Sequence, residues 1–397
     1  MDRRQTLLER IGAVVAEVQR VGASGFPYPE SEKALQAIAG RLADAAESVK
    51  AAKSLTEETV CASANRDLWR FHEAIGCVLR STDDGIAFES YPSLLRMVRQ
   101  VVGKSRALVM VSGWEYSPLV YPSTLLDGFV FISMPAAEAG NPLLLPLAGH
   151  ELGHPCWGGS DWSKRAAGLI VQEYGRMRSE PGSTLVQEAD PQRAREFAEE
   201  MMDLCLFQLE EIFCDALGVA LFAESFPCAF AYLLSFRSGQ RAKTYPATWL
   251  RAEMIRVACR RCGAVVPDLF EAEYSKCTPP ASIQGPLRDA SATADLIAAR
   301  LAEQVVDWAV EHAARSTDTR PNKQAVDNIA SAFDVGVPAS GAHQLVDIIS
   351  AAWRFSSTRV DAGWMPSLTR EERRLLLHDL TLKTIETSEI MRQAGGA

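Results

Sequence analysis

Leu147-Ala-Gly-His-Glu-Leu-Gly-His-Pro-Cys156 sets two histidines, His150 and His154, four residues apart, with Glu151 beside the first. Four residues is about one turn of an α-helix, so both imidazoles leave the same face and can reach one cation, as the HExxH pattern requires. A catalytic zinc takes three protein ligands and keeps one position for water. Glu151 stands where it can take a proton from that water and hand it to a leaving amine. Leu143, Leu144, Leu145 and Leu147 run into the pattern from Asn141-Pro142, which predicts a single helix into His154. Pro155 disfavours α geometry at the residue before it, so this helix is expected to end or kink at His154.

The pentapeptide alone is a weak signal, and a third ligand has to be found. Downstream, Leu209-Glu-Glu-Ile-Phe-Cys-Asp-Ala-Leu-Gly218 puts Glu211 and Asp215 one turn apart on a second predicted helix, Gln192 to Leu221. Glu211 completes a His2Glu set, and Asp215 can accept the free ring N–H of a ligand histidine and hold its tautomer. The alternative is a solvated face made of Glu210, Glu211 and Asp215. Against it, Asp215 lies among Ile212, Phe213, Ala216, Leu217 and Val219, where an unpaired carboxylate is costly. Glu210 remains a substitute for Glu211, although only Glu211 stands four residues from Asp215.

Outward from these two segments the chain reads as mostly helical. Thr6 to Val21, Ser31 to Lys53, Thr56 to Arg80 and Tyr91 to Val102 repeat apolar residues at three- and four-residue intervals, the period of an amphipathic helix. Ala107 to Val111 and Phe129 to Ser133 are short runs rich in Val, Ile and Phe, read as strands of a small sheet. Gly263 to Arg288, with Pro279-Pro280, reads as a linker, and Ala292 to Arg315, His343 to Phe355 and Arg370 to Met391 as further helices. The predicted class is α+β, predominantly α: a zincin-like core with a small sheet and helical N- and C-terminal extensions. Its expected parts are an N-terminal helical region 1–104, a core 105–262, and a linker with C-terminal helices 263–397.

Composition excludes several partners. The 397 residues carry a net charge of −9, and the basic residues are interspersed with acidic ones, so no footprint for nucleic acid is visible. Met1 to Arg20 is charged and helical where a secretory signal would be apolar, which predicts a cytoplasmic chain. Ile212 to Phe236 is long and apolar, but Asp215, Glu224 and Pro227 interrupt it, so a buried helix broken near Pro227 is expected and no membrane insertion. Nine cysteines without a framework predict reduced thiols, and the lone Cys259/Cys262 pair lacks the second pair a structural zinc site needs.

HExxH followed by ExxxD resembles the gluzincin clan of thermolysin-like zinc metallopeptidases, in pattern particularly the Ste24/Oma-type families, over about Leu143 to Arg256. Those families commonly carry a later His-Pro with an Arg six residues on. Here Tyr245-Pro246 is followed by Arg251, so Tyr245 replaces the histidine. The resemblance implies that Tyr245 donates to the tetrahedral oxyanion, with Arg251 supporting the site. The alternative is that Tyr245-Pro246 is a turn before the next helix. It also implies zinc as cofactor, a protein or peptide substrate, and hydrolysis by an endopeptidase. A non-catalytic, metal-stabilised helical interaction protein is the competing expectation. The long separation of His154 from Glu211 implies an inserted helix around Trp162 to Arg178 and a loop near Pro181 to Asp190 that shape or cover a cleft.

Among other residues, Cys156 near His154 is expected to pack beside the site. His72 and His312 are expected to be structural. His343 and His378 are minor candidates for the oxyanion donor, and Trp114, Trp157 and Trp162 for a cleft wall or a core. Phe129 to Ser133 is read as either an edge for an added peptide strand or an internal strand. Oligomeric state is not legible.

Overall fold

The structure, a computed structural model, describes residues 2–23, 25–82, 86–113, 119–120, 126, 128–180, 190–234, 242–277, 290–316 and 320–395. The chain divides into two compact units, residues 1–99 with 103–140, and residues 100–102 with 141–397.

The first unit contains α1 (Arg3–Gly22), α2 (Pro29–Ala51), α3 (Glu57–Leu79), most of α4 (Tyr91–Val101) and the strands β1 (Ala107–Gly113), β2 (Leu119–Val120) and β3 (Phe129–Pro135). The four helices follow the sequence periodicity closely. Asp2 begins α1 by accepting from Arg4 N–H at 3.0 Å, as an N-cap should. Leu7, Ile11, Leu35, Ile38, Leu42, Leu68 and Phe71 share one apolar cluster with Val109, Val111 and Phe131 of the sheet. The strand order is β1-β3-β2, with β1 parallel to β3 from Ala107↔Phe129 to Gly113↔Pro135 and β2 antiparallel opposite Ile132 and Ser133. β3 is therefore the central strand: of the two readings of Phe129 to Ser133 the internal strand is the one found, with β1 along its whole length and β2 beside Ile132 and Ser133.

The second unit contains α5 (Pro146–Glu151), α6 (Gly153–Gly159), α7 (Trp162–Ser179), α8 (Pro191–Phe222), α9 (Ser225–Leu233), α10 (Thr248–Cys262), α11 (Asp268–Tyr274), α12 (Ala290–Ser316), α13 (Lys323–Asp334), α14 (Leu345–Phe355) and α15 (Arg370–Gly395). Asp190 accepts from Gln192 N–H at 3.0 Å with Pro191 at the first helical position, two signals that fix the start of α8. Leu209, Ile212, Phe213, Cys214, Leu217 and Phe222 of α8 are fully buried, because α5, α6, α7, α9, α10 and α12 pack around it. A helix apolar on every side can exist only inside such a shell.

The structure differs from expectation at several joints. The compact units part near residue 140 instead of at 104 and 262, because the strands complete the N-terminal helices' core while α8, α10 and α12 share another. The linker read over Gly263 to Arg288 contains α11, whose Phe270 and Tyr274 rings lie 6.3 and 5.6 Å from Phe230. The buried apolar stretch breaks at Ala223 and Glu224, and Pro227 sits in the first turn of α9, where a missing N–H costs nothing. Trp114, residues 181–189 of the expected cleft loop, and 278–288 of the linker lie outside the described residues. No described helix is long and apolar enough to cross a membrane.

Candidate metal centre

The leucine run before the first histidine is a short 3-10 helix, Pro142–Leu144, capped by Asn141 accepting from Leu143 N–H at 3.1 Å. α5 follows and stops after Glu151; α6 resumes at Gly153. The interruption at Leu152 lies upstream of the expected kink at His154. Pro155 lacks the N–H that would bond the Glu151 carbonyl, and its ring crowds that carbonyl, so the ladder opens one turn before the proline. His154 is helical and points with His150 toward α8, the rings 5.3 Å apart and nearly perpendicular.

Glycine lets these helices approach. A Cβ on Gly153 would stand 2.6 Å from Cys214 Cα, and one on Gly218 would stand 2.3 Å from the Phe226 ring. Gly149 meets Phe222 and Gly218 with little space to spare. α8 therefore lies against the histidine-bearing helices at backbone distance.

That proximity brings three carboxylates of α8 to the imidazoles, where Glu151 of α5 already stands. His150 Nδ1 is 2.9 Å from Asp215 Oδ1, and His154 Nδ1 is 2.8 Å from Glu210 Oε1. Carboxylates at both Nδ1 positions favour the tautomer that carries a proton there and leaves an Nε2 lone pair for a metal. On that other side, Glu211 Oε2 is 3.4 Å from His150 Nε2, and Glu211 Oε1 is 3.9 Å from His154 Nε2. Glu151 Oε2 is 4.0 Å from His154 Nε2. Glu210 and Glu211 thus address opposite nitrogens of His154, so Glu210 supports the ring and Glu211 faces the metal-binding side.

Asp215 carries a buried charge that needs compensation. Arg251 supplies it with a two-pronged pair, Nε to Oδ2 and Nη2 to Oδ1, both at 2.8 Å. Burial would raise the Asp215 pKa, but Arg251 and the His150 hydrogen bond outweigh it and hold the carboxyl at about 2. Burial likewise opposes charge on His150, yet the Asp215 and Glu211 contacts raise its pKa to about 10. Glu211 stays ionised, its pKa lowered in spite of burial by His150 and Arg251. Glu151 is raised, chiefly by burial, the direction a general base working near neutrality needs.

The Arg251 guanidinium also lies 5.0 Å from the Phe230 ring and 5.6 Å from that of Tyr245. Tyr245 is 40% exposed at the margin of this cluster, and the Glu211 charge is the main influence raising its pKa. Tyr245 N–H donates to Ala242 O at 3.0 Å, so the residue does stand in a turn, and that turn borders the cluster.

Glu211 Oε2 is buried and accepts no hydrogen bond. Its charged or ring-nitrogen neighbours are His150 Nε2 at 3.4 Å and Arg251 Nη2 at 3.8 Å, and a carboxylate oxygen left without a hydrogen bond beside two imidazoles could join His150 and His154 in holding a cation. A competing donor was not anticipated: one ligating atom each from His150, His154 and Cys214 lie within 4.8 Å of one another. Burial, then the charges of Glu211 and Glu210, push the Cys214 thiol well above its ordinary pKa. A bound cation would itself deprotonate a coordinating thiol, so both the Glu211 carboxylate and the Cys214 sulfur stand as candidate third ligands beside the two imidazoles.

Comparison of the chain with protein-family models, with curated proteins and with solved structures finds no match.

The remaining candidates lie elsewhere. Trp157 and Trp162 pack on Phe213, with ring centroids at 5.5 and 6.3 Å, and Trp162 stacks on Trp308 at 5.3 Å; these are core contacts. His312 Nε2 pairs with Val101 O at 3.0 Å, His72 Nδ1 with Leu68 O at 2.8 Å, and His343 Nε2 with Ser340 O at 3.0 Å. His378 is buried on α15. Cys156 is buried with its sulfur 3.6 Å from Val101 O, and burial raises its thiol to about 12. All nine cysteines are free.

Proposed function

We propose that this protein is a zinc-dependent endopeptidase of the gluzincin kind, with His150, His154 and Glu211 as ligands and Glu151 as general base. The observation that carries the reading is the buried Glu211 Oε2, which accepts no hydrogen bond and lies 3.4 Å from His150 Nε2, while Asp215 and Glu210 hold the opposite ring nitrogens. The HExxH and ExxxD patterns support it independently.

A zinc ion there would acidify a water and polarise a peptide carbonyl. Glu151, enclosed and with a raised pKa, accepts the proton of the attacking water and transfers it to the amine as the peptide bond breaks. Tyr245 donates its hydroxyl hydrogen to the carbonyl oxygen as charge develops. Arg251 holds Asp215, and Asp215 holds His150.

Elemental analysis and a quenched-fluorescence peptide library test the reading. Glu151→Gln is expected to keep zinc and lose about 10²–10⁴-fold in kcat, and Glu211→Ala to lose the metal. Peptide hydrolysis that persists in Glu151→Gln would refute the mechanism.

The nearness of Cys214 to both imidazoles favours a second reading, a metal-stabilised interaction protein in which the thiol closes the coordination shell. Cys214→Ala separates the two: unchanged zinc content supports the peptidase, and loss of zinc supports the closed site.

A further inference from the structure

Gln208 is polar yet wholly enclosed, and it sits on α8 one turn before Glu211. Its Nε2 donates to Asp295 Oδ1 of α12 at 2.8 Å and to Lys243 O at 3.1 Å. These two acceptors use both amide hydrogens and so fix which way the amide faces. Oε1 is then turned away and accepts nothing. An orphaned interior acceptor costs stability, and an apolar side chain of similar length would avoid the cost. Packing alone does not explain a glutamine here.

The Lys243 carbonyl explains it better. Lys243 belongs to the segment Ala242 to Ala247, where Tyr245 N–H closes a turn on Ala242 O at 3.0 Å and Leu250 N–H bonds Ala247 O at 2.8 Å as α10 begins. Gln208 grips the first half of this segment, and α10 takes over the second. α8 therefore carries on one element Glu210, Glu211 and Asp215 beside the imidazoles and the clamp on the turn that presents Tyr245. Resting on the reading of Tyr245 as oxyanion donor, we infer that Gln208 is a positioning residue: braced by Asp295, it holds the Lys243 carbonyl and so sets where the Tyr245 hydroxyl stands relative to Glu211. A hydrogen-bond donor displaced by an ångström no longer meets the charge that develops in the reaction.

The test uses the full-length, zinc-loaded protein and the variants Gln208→Met, Tyr245→Phe, their combination, and Asp295→Ala. Gln208→Met is expected to lower kcat about tenfold with KM and zinc content unchanged, and the same is expected of Tyr245→Phe. The double variant is expected to be no slower than Tyr245→Phe alone, because both changes remove one function. Asp295→Ala frees the amide from α12 and is expected to act in the same direction by a smaller factor; it decides the question if Gln208→Met does not fold. Losses that multiply, or that fall on KM or on zinc content, overturn the positioning role and leave the peptidase reading intact. If no hydrolysis depends on Glu151, the peptidase reading fails. Hydrogen exchange then judges the clamp separately: Thr244 and Tyr245 amides about tenfold faster in Gln208→Met support it, and unchanged rates overturn it.

Discussion

Asp215 shows how one side chain couples stability to the site. It is fully buried, bonded to Arg251 and His150, and held at about 2 instead of its ordinary 3.8. Since the folded pKa is the lower one, its contribution is complete above the unfolded value and is lost as pH falls from about 4 toward 2, amounting to about 2 kcal/mol. Asp215→Asn is expected to cost about 3 kcal/mol at pH 7, because it takes from buried Arg251 the carboxylate it hydrogen-bonds and leaves it only Glu211 Oε2 at 3.8 Å. Urea unfolding at pH 7 and pH 3 checks this: the gap between variant and wild type should narrow in acid, and a constant gap refutes the account. The residues proposed as ligands were named at this scale, since helical spacing alone pairs His150 with His154 and Glu211 with Asp215. The role of Glu210 was not, because which nitrogen of His154 it meets depends on how α8 is turned.

Between elements, the decisive residues are glycines that carry no chemistry. Gly153 meets the backbone of Cys214, whereas Gly218 meets a ring, that of Phe226. Gly153→Ala must push α6 off α8; it is expected to cost about 1–3 kcal/mol and to weaken zinc binding about 10–100-fold as the Nδ1 contacts lengthen. Adding Cys214→Ala should not restore it, because the obstruction includes Cα. Gly218→Ala should be destabilising too, but Phe226→Leu added to it should recover part of the loss, because a smaller side chain can yield. Thermal unfolding of the two double variants distinguishes a backbone contact from a side-chain contact. Similar restoration in both would contradict the geometry.

At the scale of the molecule, every proposed ligand and support lies in the second compact unit, on α5, α6, α8 and α10. A bound metal ties three of those helices together and should stabilise them by mass action, by about 2.7 kcal/mol at a free concentration one hundred times Kd. Removing zinc with a chelator is expected to lower the unfolding midpoint of the wild type and to leave Glu211→Ala unmoved. Calorimetry measures both, and equal shifts would show that the chelator acts elsewhere.

What the amino-acid order determined by itself was local: the long helices, the start of α8 close to Gln192, and the one-turn spacing of His150 with His154 and of Glu211 with Asp215. Each follows from periodicity and from backbone groups satisfied within a few residues. The tertiary structure alone decided that β3 is the central strand, that the compact units part near residue 140, that Glu210 and Glu211 serve opposite sides of His154, and that Gln208 grips Lys243. Those outcomes depend on how closely distant elements approach. Side-chain volume at the crossings and the need to pair buried polar groups set that distance, and neither can be read from residues near in sequence.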